Sequence, residues 1–281
     1  MIATAAPWML AVLAAGGFGL LIGSFVNVVV YRVPAGLSVS RPASACPTCH
    51  SPIKAYDNVP VLSWLALGGK CRACKTTISA RYPIVEMATG LFFVAVAARL
   101  WPLGAVPADG LLVASHVVVV IAYLYLAAIS VALGIIDLEH HRLPNAIVLP
   151  AYGVGLVLLA TASALSGDWS ALLRGVIGMA ALYAVYFAMA FAYPGGMGFG
   201  DVKLAGVLGL FLAYLGWGEL AVGAFAAFLL GGLFAIALLA LRRTTRKGGI
   251  PFGPWMLAGA WVGIFVGGVL SSAYLTLLGL A

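Results

Sequence analysis

The chain has 281 residues, of which 64% are hydrophobic and only 8% charged, with a formal net charge of +7. Soluble domains carry about 25% charged residues, so this composition excludes an ordinary soluble globular domain and makes lipid the solvent for most of the chain. The positive charge gathers near the ends of apolar runs, which points to membrane orientation rather than to nucleic-acid binding.

About 20 apolar residues span a bilayer. Eight such runs are expected, roughly at 7–31, 82–101, 111–136, 146–166, 175–193, 203–218, 220–241 and 255–279. The first lacks a basic leading region and is long for a signal-peptide core, so it reads as a span. The expected fold is an all-α polytopic membrane protein of about eight transmembrane helices with a small cytoplasmic loop domain. Its parts are a first helix at 1–31, the loop domain at 32–81 and a membrane domain at 82–281. The sixth run is short: fifteen residues separate Lys203 from Glu219, about 22 Å of helix against roughly 30 Å of hydrocarbon. A re-entrant segment would fit that length. It would also put the later basic run outside, so a full span beginning near Gly200 is preferred.

Basic residues mark the cytoplasmic side. The loop 32–81 holds Arg32, Arg41, Lys54, Lys70, Arg72, Lys75 and Arg81, seven of fifteen Lys and Arg. With that loop inside, alternation also places Arg142, Lys203 and the run Arg242, Arg243, Arg246 and Lys247 inside. Only Arg99 and Arg174 fall near outer ends. The basic run reads as a cytoplasmic marker in contact with anionic headgroups. No repeat of fixed period is expected in the chain.

A loop of fifty residues needs its own reason to fold. All four cysteines are in it, as "CPTC" (Cys46, Cys49) and "CRAC" (Cys71, Cys74). Two Cys-x-x-Cys pairs complete a four-thiolate tetrahedral site, the chemistry of structural zinc. Two disulfides or free thiols are the other reading, and disulfides suit a cytoplasmic loop poorly. His50 adjoins Cys49 and is a possible substitute ligand.

There are eight carboxylates: Asp57, Glu86, Asp109, Asp137, Glu139, Asp168, Asp201 and Glu219. Asp109, Asp168 and Glu219 read as solvated charges in short outer loops, and Asp57 as part of a turn in the cysteine loop. Asp137 follows an uncharged run, 111–136, and Asp201 opens the sixth span within "GMGFGDVKL". Topology puts both at the cytoplasmic end at similar depth. Two adjacent carboxylates share a proton and titrate as a pair. One can take a proton from an attacking water while the other protonates an amide carbonyl. Gly198 and Gly200 would leave backbone room for an extended peptide beside Asp201. The plainer readings are a helix N-cap for Asp201 and a boundary charge balancing Arg142 for Asp137. Glu86 is an intramembrane acid and so a functional candidate, with pairing to Arg81 or Lys203 as the plainer alternative. His116 reads as a hydrogen-bonded structural residue, and His140 and His141 as ordinary loop residues.

Several blocks together resemble the bacterial prepilin peptidases, or type IV leader peptidases. They are "GSFVNVVVYRVP" at 23–34, "CPTC", "DNVPVLSWLALGGKCRAC" at 57–74, "ISARYPIVEMATG" at 78–90, "GIIDLEHHRLPN" at 134–145, "GMGFGDVKL" at 196–204 and "IPFGP" at 250–254. The resemblance covers nearly the whole chain. It implies a GxGD-type aspartic protease of the bacterial inner membrane with catalytic Asp137 and Asp201, its site and cysteine loop facing the cytoplasm. It implies cleavage of the basic leader from type IV prepilins and type II secretion pseudopilins, typically after a glycine. It also implies N-methylation of the new terminus with S-adenosylmethionine, and zinc on Cys46, Cys49, Cys71 and Cys74. Glu86, Gly198, Gly200 and Lys203 are supporting candidates. The family often has Leu-Pro-Asp where this chain has Leu143-Pro144-Asn145, and no glycine-rich nucleotide fingerprint marks a methyl-donor site. Expected partners are prepilins, pseudopilins and the bilayer, with no nucleic acid. Two other readings use the same residues: a proton-coupled transporter with Glu86, Asp137 and Asp201 as relay acids, and a zinc-stapled scaffold for secretion-machine assembly.

Overall fold

The structure, a computed structural model, describes residues 5–101, 109–241 and 250–280, with side chains from Met9 onward. The basic run Arg242, Arg243, Arg246 and Lys247 lies outside the described residues. Among the described residues there is no β-strand beyond two isolated bridges, and nine α-helices run in chain order. They are α1 (Ala5–Arg32), α2 (Leu62–Ala66), α3 (Arg81–Leu100), α4 (Gly110–His140), α5 (Asn145–Ser166), α6 (Trp169–Ala192), α7 (Phe199–Leu215), α8 (Trp217–Ala240) and α9 (Gly253–Leu277).

Each of the eight expected apolar runs holds a long helix. Seven of the helices are long and apolar enough to cross a membrane, while α7, at 17 residues, is shorter. Local chemistry sets several ends. Asp109 caps α4 by accepting from the Leu111 N–H (2.8 Å), and Asp168 caps α6 by accepting from the Ala171 N–H (3.1 Å). Both acids are thus helix caps rather than free loop charges. Glu219, also expected in a loop, lies in the first turn of α8, where a negative charge complements the helix dipole. His141, with φ of 51°, ends α4 in a left-handed turn. His116 is hydrogen-bonded to the Leu112 carbonyl (2.7 Å).

The chain divides into two compact units. One comprises 1–106 with 123–132, the other 107–122 with 133–281. In the first, α1 and α3 cross closely. A Cβ on Gly23 would sit 2.7 Å from the Glu86 Cα, and Asn27 donates to the Tyr82 carbonyl (3.2 Å). Close approach of small residues is how membrane helices gain packing without a hydrophobic drive between them.

In the second unit α7 is the buried axis, packed by α5, α6, α8 and α9. Residues 204–214 are buried without interruption. The backbones of α6 and α7 meet at Gly178 and Gly209, where a Cβ on Gly178 would lie 2.7 Å from the Gly209 carbonyl oxygen. Tyr152 of α5 donates to the Lys203 carbonyl (2.6 Å). At the far end of α7, Arg174 of α6 donates to the carbonyls of Ala213 (2.6 Å), Tyr214 (2.7 Å) and Leu215 (3.3 Å). These are orphan acceptors of a helix C-terminus, so one side chain closes the end of α7. Arg174, one of two cations expected near outer ends, therefore has a structural role.

Candidate active site and tetracysteine cluster

Asp137 lies in the last turn of α4 and is 5% exposed. Its Oδ2 accepts from the Gly253 N–H at 3.1 Å, across 116 residues of sequence. Gly253 is the first residue of α9 and belongs to the "IPFGP" block. That backbone donor was not named from the sequence. Only its glycine, placed just before Pro254 at a helix start, hints at a backbone that must come close. A Cβ there would fall 2.6 Å from the Asp137 Oδ2.

Asp201 is the third residue of α7, not its N-cap. Gly198 is the N-cap, and its N–H donates to the Asp201 Oδ2 (3.2 Å). The carboxylate thus satisfies one orphan donor of the helix start, and its second oxygen is left for other partners. Asp137 and Asp201 both belong to the second unit.

The two motif glycines differ. A Cβ on Gly198 would meet only the Asp201 Oδ2 (3.3 Å) and a backbone nitrogen at 4.0 Å, so space beside Asp201 is open there. A Cβ on Gly200 would meet the Leu143 Cβ at 3.1 Å. Leu143 also reaches the Gly253 position, at 3.2 Å from its Cδ2. One leucine thus packs beside Gly200, next to Asp201, and beside Gly253, which holds Asp137. Sequence alone did not mark it.

Lys203 points to the start of α5. Its Nζ donates to the Asn145 Oδ1 (2.9 Å) and lies over the Phe199 ring at 5.0 Å. The amide oxygen of Asn145 accepts from this ammonium without neutralising it. Glu86 belongs to the first unit. It is 8% exposed, and its Oε2 accepts from the Val61 N–H (2.7 Å).

In the cysteine loop the four Sγ atoms all lie within 4.8 Å of one another. Cys46 and Cys74 are 3.7 Å apart and Cys49 and Cys71 are 4.0 Å apart. Metal–sulfur bonds of about 2.3 Å in a tetrahedron give S···S edges of about 3.8 Å, so the donor set fits a tetrahedral metal ion. All four cysteines are free thiols and not disulfides. Among the described residues His50 is outside this cluster; its φ of 57° makes it a turn residue.

The two halves of the cluster repeat. Cys46 N–H donates to Ser51 O and His50 N–H to Cys46 O, while Cys71 N–H donates to Thr76 O and Lys75 N–H to Cys71 O. His50 and Lys75 share the left-handed conformation. "CPTCHSPI" and "CRACKTTI" are thus one knuckle used twice. This corrects the expectation of no repeat, since the period is confined to two eight-residue pieces. Outside the knuckles, Arg72 makes a two-pronged pair with Asp57 (2.6 to 3.0 Å). Its guanidinium hydrogen-bonds the Asp57 carboxyl and holds it below the usual carboxylate range.

Fold and site together define a polytopic helical membrane protein with a tetracysteine cluster and two acids, Asp137 buried and Asp201 half-buried, held by backbone N–H groups in its larger unit. Residues 18–100 match the bacterial peptidase A24 N-terminal domain, and residues 124–236 match the type IV leader peptidase family. The chain is 36% identical to a prepilin leader peptidase/N-methyltransferase of Aeromonas hydrophila, covering 92% of each chain. It is 34% identical to that of Pseudomonas aeruginosa (93% of this chain, 92% of the relative) and 32% identical to that of Neisseria gonorrhoeae (90% and 89%). No solved structure matches. The chain belongs to the type IV leader (prepilin) peptidase family.

Proposed function

We propose that the chain is a membrane aspartic endopeptidase that removes the basic leader from prepilins and pseudopilins and then N-methylates the new terminus. The observation that supports the cleavage mechanism is that Asp137 and Asp201 share one unit, with Leu143 packed beside the glycines next to both. Helices α4 and α7 supply them, and backbone N–H groups of Gly253 and Gly198 aim them. Neighbouring carboxylates share one proton. The ionised member accepts a proton from water as the water oxygen attacks the scissile carbonyl. The protonated member donates to the carbonyl oxygen, and proton return to the amine completes cleavage. The open space beside Gly198 suits an extended substrate backbone, while Gly200 serves the packing of Leu143.

The relatives' names supply the methylation half, with S-adenosylmethionine as the donor such chemistry uses. That group supplies an electrophilic methyl when bound; no residue of this chain is assigned to it. Zinc is the metal that four clustered thiolates in a small loop suit best, in a structural role, because four protein ligands leave no open position. The cysteine loop and the acid pair are placed on the cytoplasmic face of the inner membrane, following the basic residues, and α7 is taken as a full span.

The decisive experiment co-expresses the chain with a prepilin and weighs the pilin N-terminus by mass spectrometry. Asp137→Asn and Asp201→Asn should each leave the leader attached while the protein still accumulates in the membrane. Cleavage at the parental rate by either variant would sink the dyad.

A further inference from the structure

Residues 55–66 of the cysteine loop carry an exposed apolar surface. A single 3-10 turn over Ala55–Asp57 leads through Pro60 and Val61 into α2, and no residue of α2 is buried. Several polar groups of this segment are bonded within the loop. The Ser63 hydroxyl accepts from the Val59 N–H and donates to the Tyr56 carbonyl (both 3.0 Å), and the Trp64 Nε1–H donates to the Ile78 carbonyl (3.1 Å). Apolar side chains turn outward: Leu62 is 65% exposed and Leu65 61%, with Tyr56 and Val59 exposed beside them. A helix in water shows the opposite pattern, with its apolar stripe facing the core. Outward leucines flanked by an aromatic ring are the pattern of a segment lying in a membrane interface.

A second observation ties the segment to α3. The Val61 N–H is held by the buried Glu86 carboxylate of α3 (2.7 Å). Val61 has φ of 60° and ψ of −51°, and the Leu62 N–H closes back on the Pro60 carbonyl. This is a γ-turn, strained for a β-branched residue, and Glu86 takes up the amide that the turn leaves over. Glu86 is five residues past Arg81, the first residue of α3, or about 7.5 Å along the axis. The bond therefore draws the start of α2 inside the end of an apolar membrane helix. Interfacial helices bury their apolar face about 5–10 Å into the headgroup and acyl boundary. Exposed Lys54 and Lys70 flank the segment and suit anionic headgroups.

We propose that α2 and the turn before it dip into the bilayer at the N-terminal end of α3, with Leu62 and Leu65 inserted among lipid and Glu86 as the anchor that sets their depth. The tetracysteine cluster is then held against the membrane surface rather than suspended as a free module.

The test uses the full chain in phosphatidylethanolamine and phosphatidylglycerol vesicles, with an encoded fluorescent amino acid at position 62, 65 or, as control, the exposed Lys75 of the second knuckle. Acyl-brominated phospholipid should quench positions 62 and 65 at least threefold more than 75, and aqueous iodide should show the reverse order. Equal iodide quenching at all three positions overturns the proposal. Bromolipid quenching that appears only after prepilin is added also overturns it, since the surface would then be a substrate dock. Dependence of quenching on protein density overturns it in favour of a second copy. With the label at 65, Glu86→Ala should at least halve bromolipid quenching, whereas Glu86→Gln, which keeps an acceptor for the Val61 N–H, should retain it. Unchanged quenching in Glu86→Ala would remove Glu86 as the anchor.

Discussion

Gly253→Ala is a one-methyl probe of the acid pair. The new Cβ would stand 2.6 Å from the Asp137 Oδ2 and 3.2 Å from the Leu143 Cδ2. Ordinary contacts between such atoms begin well above 3 Å, so Asp137 must withdraw by roughly half an ångström, stretching its bond to the Gly253 N–H. A misplacement of 1 Å at a reacting group costs about 10²-fold, and a net hydrogen bond contributes about 1 kcal/mol. Together these set the expected fall in kcat/KM at about 10- to 100-fold. The assay is cleavage of a purified prepilin in proteoliposomes, with Gly232→Ala on α8 as the matched control, because a Cβ there meets nothing within 4 Å. A fall confined to Gly253→Ala, with both variants equally stable to heat in detergent, is the expected result. Cleavage by Gly253→Ala within twofold of the parent would refute the view that this backbone donor aims Asp137.

Arg174→Leu removes every donor seen at the last three carbonyls of α7 and should destabilise the protein by about 2–4 kcal/mol, read from denaturation in mixed micelles; a loss under 0.5 kcal/mol would mean that water satisfies those carbonyls. Freshly purified parent should hold one zinc per chain by elemental analysis and Cys71→Ser far less, while equal zinc in both would dissociate the cluster from metal binding. Asp57 has its carboxyl held low by Arg72, so the stabilisation from that pair is present above the ordinary carboxylate range and disappears as pH falls through the depressed value. Asp57→Asn should therefore lower loop stability at pH 7, measured by protease resistance, and match the parent once the pH is low enough to protonate Asp57; a gap that persists there would assign the effect to packing.

Hydropathy made the long helices legible because lipid leaves the backbone few alternatives. The caps Asp109 and Asp168 are local chemistry too, yet both acids read as loop charges in the sequence, and α6 begins at Trp169 rather than near 175. The duplicated knuckle was also present in the letters, as two stretches offset by twenty-five residues. What the sequence hid are partners distant in the chain. Gly253 reaches Asp137 across 116 residues, Leu143 lies against glycines next to both acids, and Arg174 closes a helix that starts 25 residues later at Phe199. Spacing cannot reveal such contacts, because packing of α4, α6, α7 and α9 decides them. Glu86 shows the same limit. Its charge suggested a cationic partner, yet its observed bond is to a backbone amide released by a γ-turn.

The closure of α7 by Arg174 also bears on where chemistry sits in the bilayer. Seventeen residues make a rod of about 25 Å, shorter than the roughly 30 Å of hydrocarbon around it. A lipid-facing helix of that length would tilt, thin the membrane or slide until its ends found water. Enclosed by its neighbours and gripped at its far end, α7 as a full span would be spared these adjustments. It works as a fixed-length gauge hung from α6, with Asp201 at the mark. On the proposed dyad, the height of Asp201 would then be set by a count of residues inside the protein and should stay constant in membranes of different thickness.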